Sequence, residues 1–304
     1  SSINVENNPW LKELVCNSNQ LQDLNVENNH RLEVLNCNSN SLSELNVDFN
    51  IELKILLCGF NRLNHLLLTN NENLLSLSIY DNQINEIDLS NNNLLRQLYS
   101  YDNPLEELLL YNNVALTHLS CGNNLLTHLD VSLNNYLTYL NCINNDISEL
   151  DLSQNPYLRR LHCENNELEF LNVANGNNTS IRNFNSINNA NLSCIKVDSP
   201  VYSIEHWIDI DTHSEFNSDC QSLTVAESEL TNFSIYPIPT FDKLIIKTEG
   251  QGSFKLVNAN GQDLLKGNLN IGENHLSLAN LSSGVYFLNV INSNGREVRK
   301  VIKE

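Results

Sequence analysis

The chain has 304 residues, 41% of them hydrophobic, which is enough to bury a sizeable core in one or two domains. Seventeen basic residues against 36 acidic ones give a formal charge of -19, so a nucleic-acid backbone or an anionic membrane surface is repelled. There is no apolar run long enough to span a bilayer, no secretory signal and no methionine, which points to a mature form or a fragment without membrane insertion.

From the start of the chain a period of 21 residues is visible. Leu14, Leu35, Leu56, Leu77, Leu98, Leu119, Leu140 and Leu161 form one column, and Asn19, Asn40, Asn61, Asn82, Asn103, Asn124, Asn145 and Asn166 a second. A third runs from Leu24 through Ile87 to Leu171. A fixed period in this range predicts a solenoid. Eight units keep the frame from Leu11 to Asn178, and Ile3, Val5 and Asn8 already lie in it, so the chain begins inside a unit and a preceding coil or cap is expected.

The unit reads L-x-x-L-x-C-x-x-N-x-L-x-x-L-x-V-x-x-N and resembles the leucine-rich repeat, in the cysteine-ladder form of bacterial internalin-like surface proteins. The resemblance covers residues 3 to about 197 and implies a mainly β fold, a right-handed solenoid with a parallel sheet. The residues give the same picture independently. The L-x-C segment alternates in and out like a strand, so the copies stack about 4.8 Å apart with leucine and cysteine inward. An asparagine amide then meets the backbone groups that turn inward after each strand, sparing roughly 1 to 3 kcal/mol per coil.

Cys16, Cys37, Cys58, Cys121, Cys142 and Cys163 share the sixth position, interrupted by Ile79 and Ser100. Their Cβ vectors run parallel and their runs are odd, which predicts unpaired buried thiols rather than bridges. Cys194 and Cys220 lie beyond the ladder. After Asn178 the frame slips by two, and the Trp207 region carries no repeat, so residues 199–221 are read as a cap on a solenoid of residues 1–198. A Cys194–Cys220 disulfide would staple that cap and place the protein outside the cytosol.

Residues 222–232 read as a linker, and 233–304 as seven short strands with turn signals at Asn260-Gly261 and Asn294-Gly295, a small antiparallel β-sandwich. This segment resembles the type A C-terminal sorting domain of the type IX (Por) secretion system of Gram-negative bacteria. Tyr236, Pro237 and Pro239 match its Y-P-N-P opening, with Ile238 in place of asparagine. Asn258 and Gly261 match N-x-x-G; Leu281, Gly284 and Tyr286 match L-x-x-G-x-Y; "KVIKE" closes the chain. The resemblance implies recognition by the type IX machinery, removal by a sortase in the linker, and a product outside the cell or on the outer-membrane surface.

Outward positions of the sheet carry Tyr80, Tyr99, Tyr101, His118, Tyr139 and Ile143, with Asp81 and Asp102 beside the tyrosines. Such a cluster suits a protein hot spot or stacking against a glycan, or it simply reflects the strand propensity of tyrosine. A broad open sheet lacks a small-ligand pocket, which favours a surface protein as partner. Acidic residues at position thirteen (Asp23, Glu44, Glu86, Glu107, Glu149) read as a solvated flank. No Ser-His-Asp arrangement, phosphate-cradling loop or zinc-ligand spacing occurs, so no catalytic residue, metal or cofactor is assigned. The alternatives are repeats serving a catalytic domain upstream of Ser1, or a passive surface spacer.

Overall fold

The computed structural model describes residues 3–220, 233–237, 239–258, 263–292 and 295–303. The chain divides into two units, Ser1–Cys220 and Gln221–Glu304. The expected linker 222–232, the Asn260-Gly261 turn, Asn294 and Ile238 lie outside the described residues.

In the first unit three-residue strands recur once per coil: β1 Glu13–Val15, β2 Val34–Asn36, β3 Ile55–Leu57, β4 Ser76–Ser78, β5 Gln97–Tyr99, β6 His118–Ser120 and β7 Tyr139–Asn141. They continue as β8 Glu149–Asp151, β9 Arg160–His162, β10 Phe170–Asn172, β11 Asn183–Asn185, β12 Cys194–Lys196, and β13 Glu215–Asn217, the last preceded by the helix α1 Pro200–His206. Strands β1 to β7, β9 and β11 form one nine-stranded parallel sheet with the leucine column in register, Leu14 opposite Leu35 and onward. The slip by two is absorbed at its end, where Leu161 pairs with Phe184. A second parallel sheet, β13-β12-β10-β8, uses the third apolar column. Residues 199–221 contribute α1, capped by Ser199, and then β13, which extends that second sheet.

The leucine and cysteine columns form one continuous core in which Leu35, Leu56, Leu77 and their equivalents are fully buried. Each such leucine contributes about 1.5–3 kcal/mol by leaving water. The six ladder cysteines are free and buried, and burial pushes the Cys58 and Cys121 thiols up to about 12. Phe184 and Trp207 stack at 4.4 Å with Phe216 edge-on to both, which closes the core beneath α1. The Cys194–Cys220 disulfide ties β12 to the residues after β13, with Cα atoms 5.8 Å apart.

Asparagine holds coil to coil. Asn40 Nδ2 donates to Cys16 O of the preceding coil (3.1 Å) and to Cys37 O of its own (3.0 Å), while its Oδ1 accepts from Leu21 N–H at 3.0 Å. The set recurs through Asn166 and, past the slip, at Asn189. A second ladder, Asn29, Asn50, Asn71, Asn92, Asn113, Asn134 and Asn155, also donates across coils but leaves every Oδ1 buried and unpartnered. Between strand and ladder each coil turns through a left-handed residue, Ser18 to Asn188, with φ between 51° and 59°. Asparagine and aspartate tolerate this region best and hold the six corners from Asp81 to Asn188.

The N–H groups after each strand point to the next coil: Ser18 donates to Asn38 O (2.9 Å) and Asn19 to Ser39 O (3.1 Å). At the last coil of the nine-stranded sheet, Asp211 takes both roles. Its two carboxylate oxygens accept from Asn188 N–H (2.9 Å) and Asn189 N–H (2.8 Å). Asp198 does the same elsewhere on the coil before, for Gly176 (3.1 Å) and Asn178 (3.2 Å). Two carboxylates thus take up four backbone N–H groups at the C-terminal end of the array.

The described residues of the second unit form seven strands: β14 Phe233–Tyr236, β15 Lys243–Thr248, β16 Gly252–Asn258, β17 Asp263–Leu269, β18 Gly272–Ser277, β19 Gly284–Asn292 and β20 Gly295–Lys303. They form two antiparallel sheets, β14-β15-β18 and β17-β16-β19-β20. Leu244 and Ile246 from one and Leu256, Leu288, Val290 and Val301 from the other share a single core, a small β-sandwich.

Candidate functional site

On the outward face of the nine-stranded sheet, column neighbours are one coil apart, so a side chain's environment is set by what stands 21 residues before and after it. Tyr80 has Gly59 before it, and a Cβ at Gly59 would lie 2.5 Å from the Tyr80 ring. The glycine leaves room for that ring to lean over the coil before it. Tyr101 follows and stacks on Tyr80, centroids 4.8 Å apart and 6° from parallel. The next position is Gly122, followed by Ile143.

A depression of about 490 Å³ lies over Gly122, with Ile143 leaning across the glycine so that a Cβ there would stand 2.7 Å from Ile143 Cγ1. Its floor is Ser120 and Gly122, both buried; Tyr99 and Tyr101 wall one side, and Tyr139 and Ile143 the other. His118, Asn123, Asn141 and Arg160 supply polar groups, and no carboxylate lines it. The rings flanking it are braced: His118 stacks on Tyr139 at 6.1 Å, and His162 approaches Tyr139 from the other side at 6.3 Å. Burial, followed by the nearby Arg160 guanidinium, lowers the His118 pKa and favours its neutral form. Burial, with Tyr80 and Asp102 beside it, raises that of Tyr101, which stays a phenol and a donor.

Of the residues singled out from the sequence, Tyr99, Tyr101, His118 and Tyr139 converge on this depression, whereas Tyr80 stands behind Tyr101. Asp81 and Asp102 occupy the left-handed corners with φ of 51° and 56°, outside it. Asp102 Oδ1 accepts from Asn123 Nδ2 at 2.6 Å, and Asn123 Oδ1 from Asn144 Nδ2 at 2.5 Å, a chain of polar contacts along the rim. The sheet, expected to be broad and open, carries a shallow, open depression beside the glycine in a column of bulky neighbours. Sequence reasoning also passed over Ser120, Asn123, Asn141 and Arg160. Their signal was the small residue at position 122, legible only by reading the column for what is absent.

Among the described residues, no three His, Cys, Asp or Glu side chains group to hold a metal ion, and no helix is long and apolar enough to cross a membrane. The Cys194–Cys220 pair forms the expected disulfide.

In the sandwich the matched motifs meet around the last strand. Lys303, 8% exposed, donates to Leu281 O at 2.6 Å and faces Asp242 at 3.5 Å. Tyr286, also buried, donates to Ser282 O at 2.5 Å, so Leu281, Tyr286 and the closing lysine fix one another. Tyr236 donates to Glu273 at 2.9 Å, which raises its pKa, and precedes a cis bond to Pro237; Pro239 follows at the bend into β15. Gly284 opens β19, and Gly261 lies outside the described residues.

Residues 234–304 match the secretion system C-terminal sorting domain family. The chain therefore carries a type IX (Por) sorting domain, which marks a secreted or cell-surface protein. Among solved structures, the functional domain of InlJ from Listeria monocytogenes, which includes a cysteine ladder, is similar over 100% of this chain and 83% of its own, at 21% identity and a TM-score of 0.51. A leucine-rich-repeat protein of Leptospira interrogans is similar over 70% of this chain and 68% of its own, at 20% identity and a TM-score of 0.54. Both likenesses show the leucine-rich-repeat fold of the first unit. No curated protein is similar in sequence to the chain.

Proposed function

We propose that this is a secreted recognition protein: the sorting domain delivers it through the type IX system, a sortase removes that domain within residues 222–232, and the solenoid binds a surface protein on its sheet face. The observation that carries the binding reading is the depression between Tyr101 and Tyr139. Three tyrosines, two of them with braced rings, present large contact area at little entropic cost, which is the character of an interface anchor. The small-residue floor leaves room for one inserted side chain or loop of a partner, and the surrounding flat sheet gives it a surface to spread on. Arg160, without an ion pair among the described residues, adds a donor at the rim in an otherwise acidic chain.

The same walls would accept a sugar ring, with the Asn123 and Asn141 amides for its hydroxyls, and the test separates the two. Immobilised full-length protein is exposed to outer-surface extracts of host and bacterial cells, untreated, protease-treated or periodate-treated. A Gly122→Leu variant, whose side chain must push Ile143 aside and into the depression, runs beside it. Capture lost with Gly122→Leu and with protease supports the protein reading; capture lost with periodate alone makes the ligand a glycan. Identical capture by both proteins refutes the depression as the site.

A further inference from the structure

Seven coils of the solenoid have an Asx turn after the third apolar column. Asn4, Asn25, Asn46, Asp88, Asp130, Asp151 and Asn172 each accept, through Oδ1, the backbone N–H two residues on, at 2.9–3.0 Å. The same position holds leucine in two coils, Leu67 and Leu109. A leucine accepts no hydrogen bond, so the turn loses its side-chain support, and neither leucine is buried in exchange: they are 63% and 52% exposed. Two coils have given up a local stabilising contact in order to hold an apolar side chain in water.

Both leucines line grooves on this flank. One groove, about 570 Å³, runs from His65 and Leu67 past Glu86 and Asp88 to Leu109 and Tyr111. The other, about 360 Å³, starts at Leu109 and Tyr111 and reaches Asp130 and Leu133. They share Glu106, Glu107, Leu109 and Tyr111, so the surface is continuous over four coils, a run of about 14 Å at the coil spacing. Tyr111 and Leu133 are 54% and 52% exposed. No lysine or arginine lines either groove, whereas Glu86, Asp88, Glu106, Glu107 and Asp130 do. Two of the position-thirteen acids read from the sequence as a solvated flank, Glu86 and Glu107, are here interleaved with exposed leucines.

From the juxtaposition of Leu67, Leu109 and Leu133 with five unneutralised carboxylates, we infer that this flank is a second docking surface, for a basic segment of a partner protein that carries apolar side chains. Charge decides the occupant. A second copy of this chain would bring an equally acidic flank, and nucleic acid or an anionic membrane would be repelled, whereas an extended lysine- or arginine-containing segment gains both the leucines and the field. The surface is distinct from the sheet depression, and its failure would leave that reading untouched.

The test uses full-length protein and a fluorescein-labelled peptide of alternating lysine and leucine, with lysine–serine and glutamate–leucine peptides as controls. The variant is Leu67→Asn with Leu109→Asn, which leaves the charge unchanged and restores the Asx residue of the other coils. Expected are binding of the lysine–leucine peptide, at least tenfold weaker binding by the variant, at least tenfold weaker binding of both control peptides, and a melting temperature for the variant equal to or above that of the parent. Binding by the variant within twofold of the parent, or equal binding of the lysine–serine peptide, overturns the inference, since bulk charge would then explain it. A lower melting temperature overturns it too, by making the leucines structural. Self-association of the parent that the variant lacks, seen by sedimentation, would assign the flank to a second copy instead.

Discussion

The two asparagine ladders look alike in sequence, yet they should respond very differently to alanine. Asn124 Nδ2 donates to Ser100 O (3.1 Å), Cys121 O (3.0 Å) and Gly122 O (3.1 Å), and its Oδ1 is the acceptor for Leu105 N–H at 3.1 Å. In Asn124→Ala the carbonyls keep other partners, Asn103, Asn145 and Asp102 N–H respectively. Leu105 N–H keeps none. One orphaned buried donor costs about 1–3 kcal/mol, and the lost amide bonds bring the total to about 2–4 kcal/mol. Asn113 donates only to Leu89 O (3.1 Å) and Asn92 O (3.0 Å), which retain Asn92 N–H and Leu95 N–H. Its own Oδ1 is buried without a partner, so Asn113→Ala removes a penalty along with two bonds. The net cost is about 0–1 kcal/mol. The cavity is the same in both variants, leaving a difference of about 2 kcal/mol, or about 4–8 °C in melting temperature for a unit of this size. Urea titration of the full-length protein, followed by circular dichroism and by the fluorescence of the buried Trp207, measures it. Equal costs, or a costlier Asn113→Ala, would refute the reasoning that the acceptor half of the amide decides.

Three further outcomes are expected. The six ladder thiols hold their protons in the native state, with Cys58 and Cys121 at about 12, whereas an unfolded cysteine ionises near 9. Stability should therefore be full below pH 9 and fall as pH rises toward 12, with the urea midpoint dropping over that window, and iodoacetamide at pH 8 should label none of the six until the chain unfolds. A flat midpoint or fast native labelling would contradict the buried assignment. Replacing Cys194 and Cys220 by serine opens a loop of 26 residues and should cost about 3.5 kcal/mol. Loss of Trp207 emission ahead of the circular dichroism change would locate that cost at the cap, while coincident transitions at an unchanged midpoint would make the bond dispensable. Deleting residues 233–304 should leave the protein in the periplasm, so recovery of the truncated chain in the medium would sink the export role of the sandwich.

Much of the architecture is legible along the sequence because a solenoid turns long-range contacts into a fixed offset. The 21-residue frame, its slip by two before Phe184, the cap disulfide, the seven sandwich strands and the closing sorting motifs could all be read from columns or local patterns. The second sheet could not. Glu86–Ile87–Asp88 and Glu149–Leu150–Asp151 are nearly the same tripeptide, yet only the latter pairs as a strand, because pairing depends on how closely adjacent coils approach there rather than on local propensity. The depression was hidden for a related reason. Tyrosines announce themselves, whereas the space they line lies over Gly122, a residue with nothing to show until its neighbours are placed one coil away. The exposed leucines of the flank were likewise visible as leucines but not as departures, since the hydrogen bond they lack is defined by the seven coils that make it.

Asp211 ends the nine-stranded stack by imitation, its two oxygens standing where the carbonyls of another coil would be. The finish of the array is consequently independent of how many units come before it. A whole coil could be duplicated or excised anywhere in the interior, and every remaining interface, including the last, would be of a kind already present. Reach becomes adjustable in whole steps of about 4.8 Å, so a lineage could match the binding face to targets of different size by counting coils, with no new chemistry at either boundary.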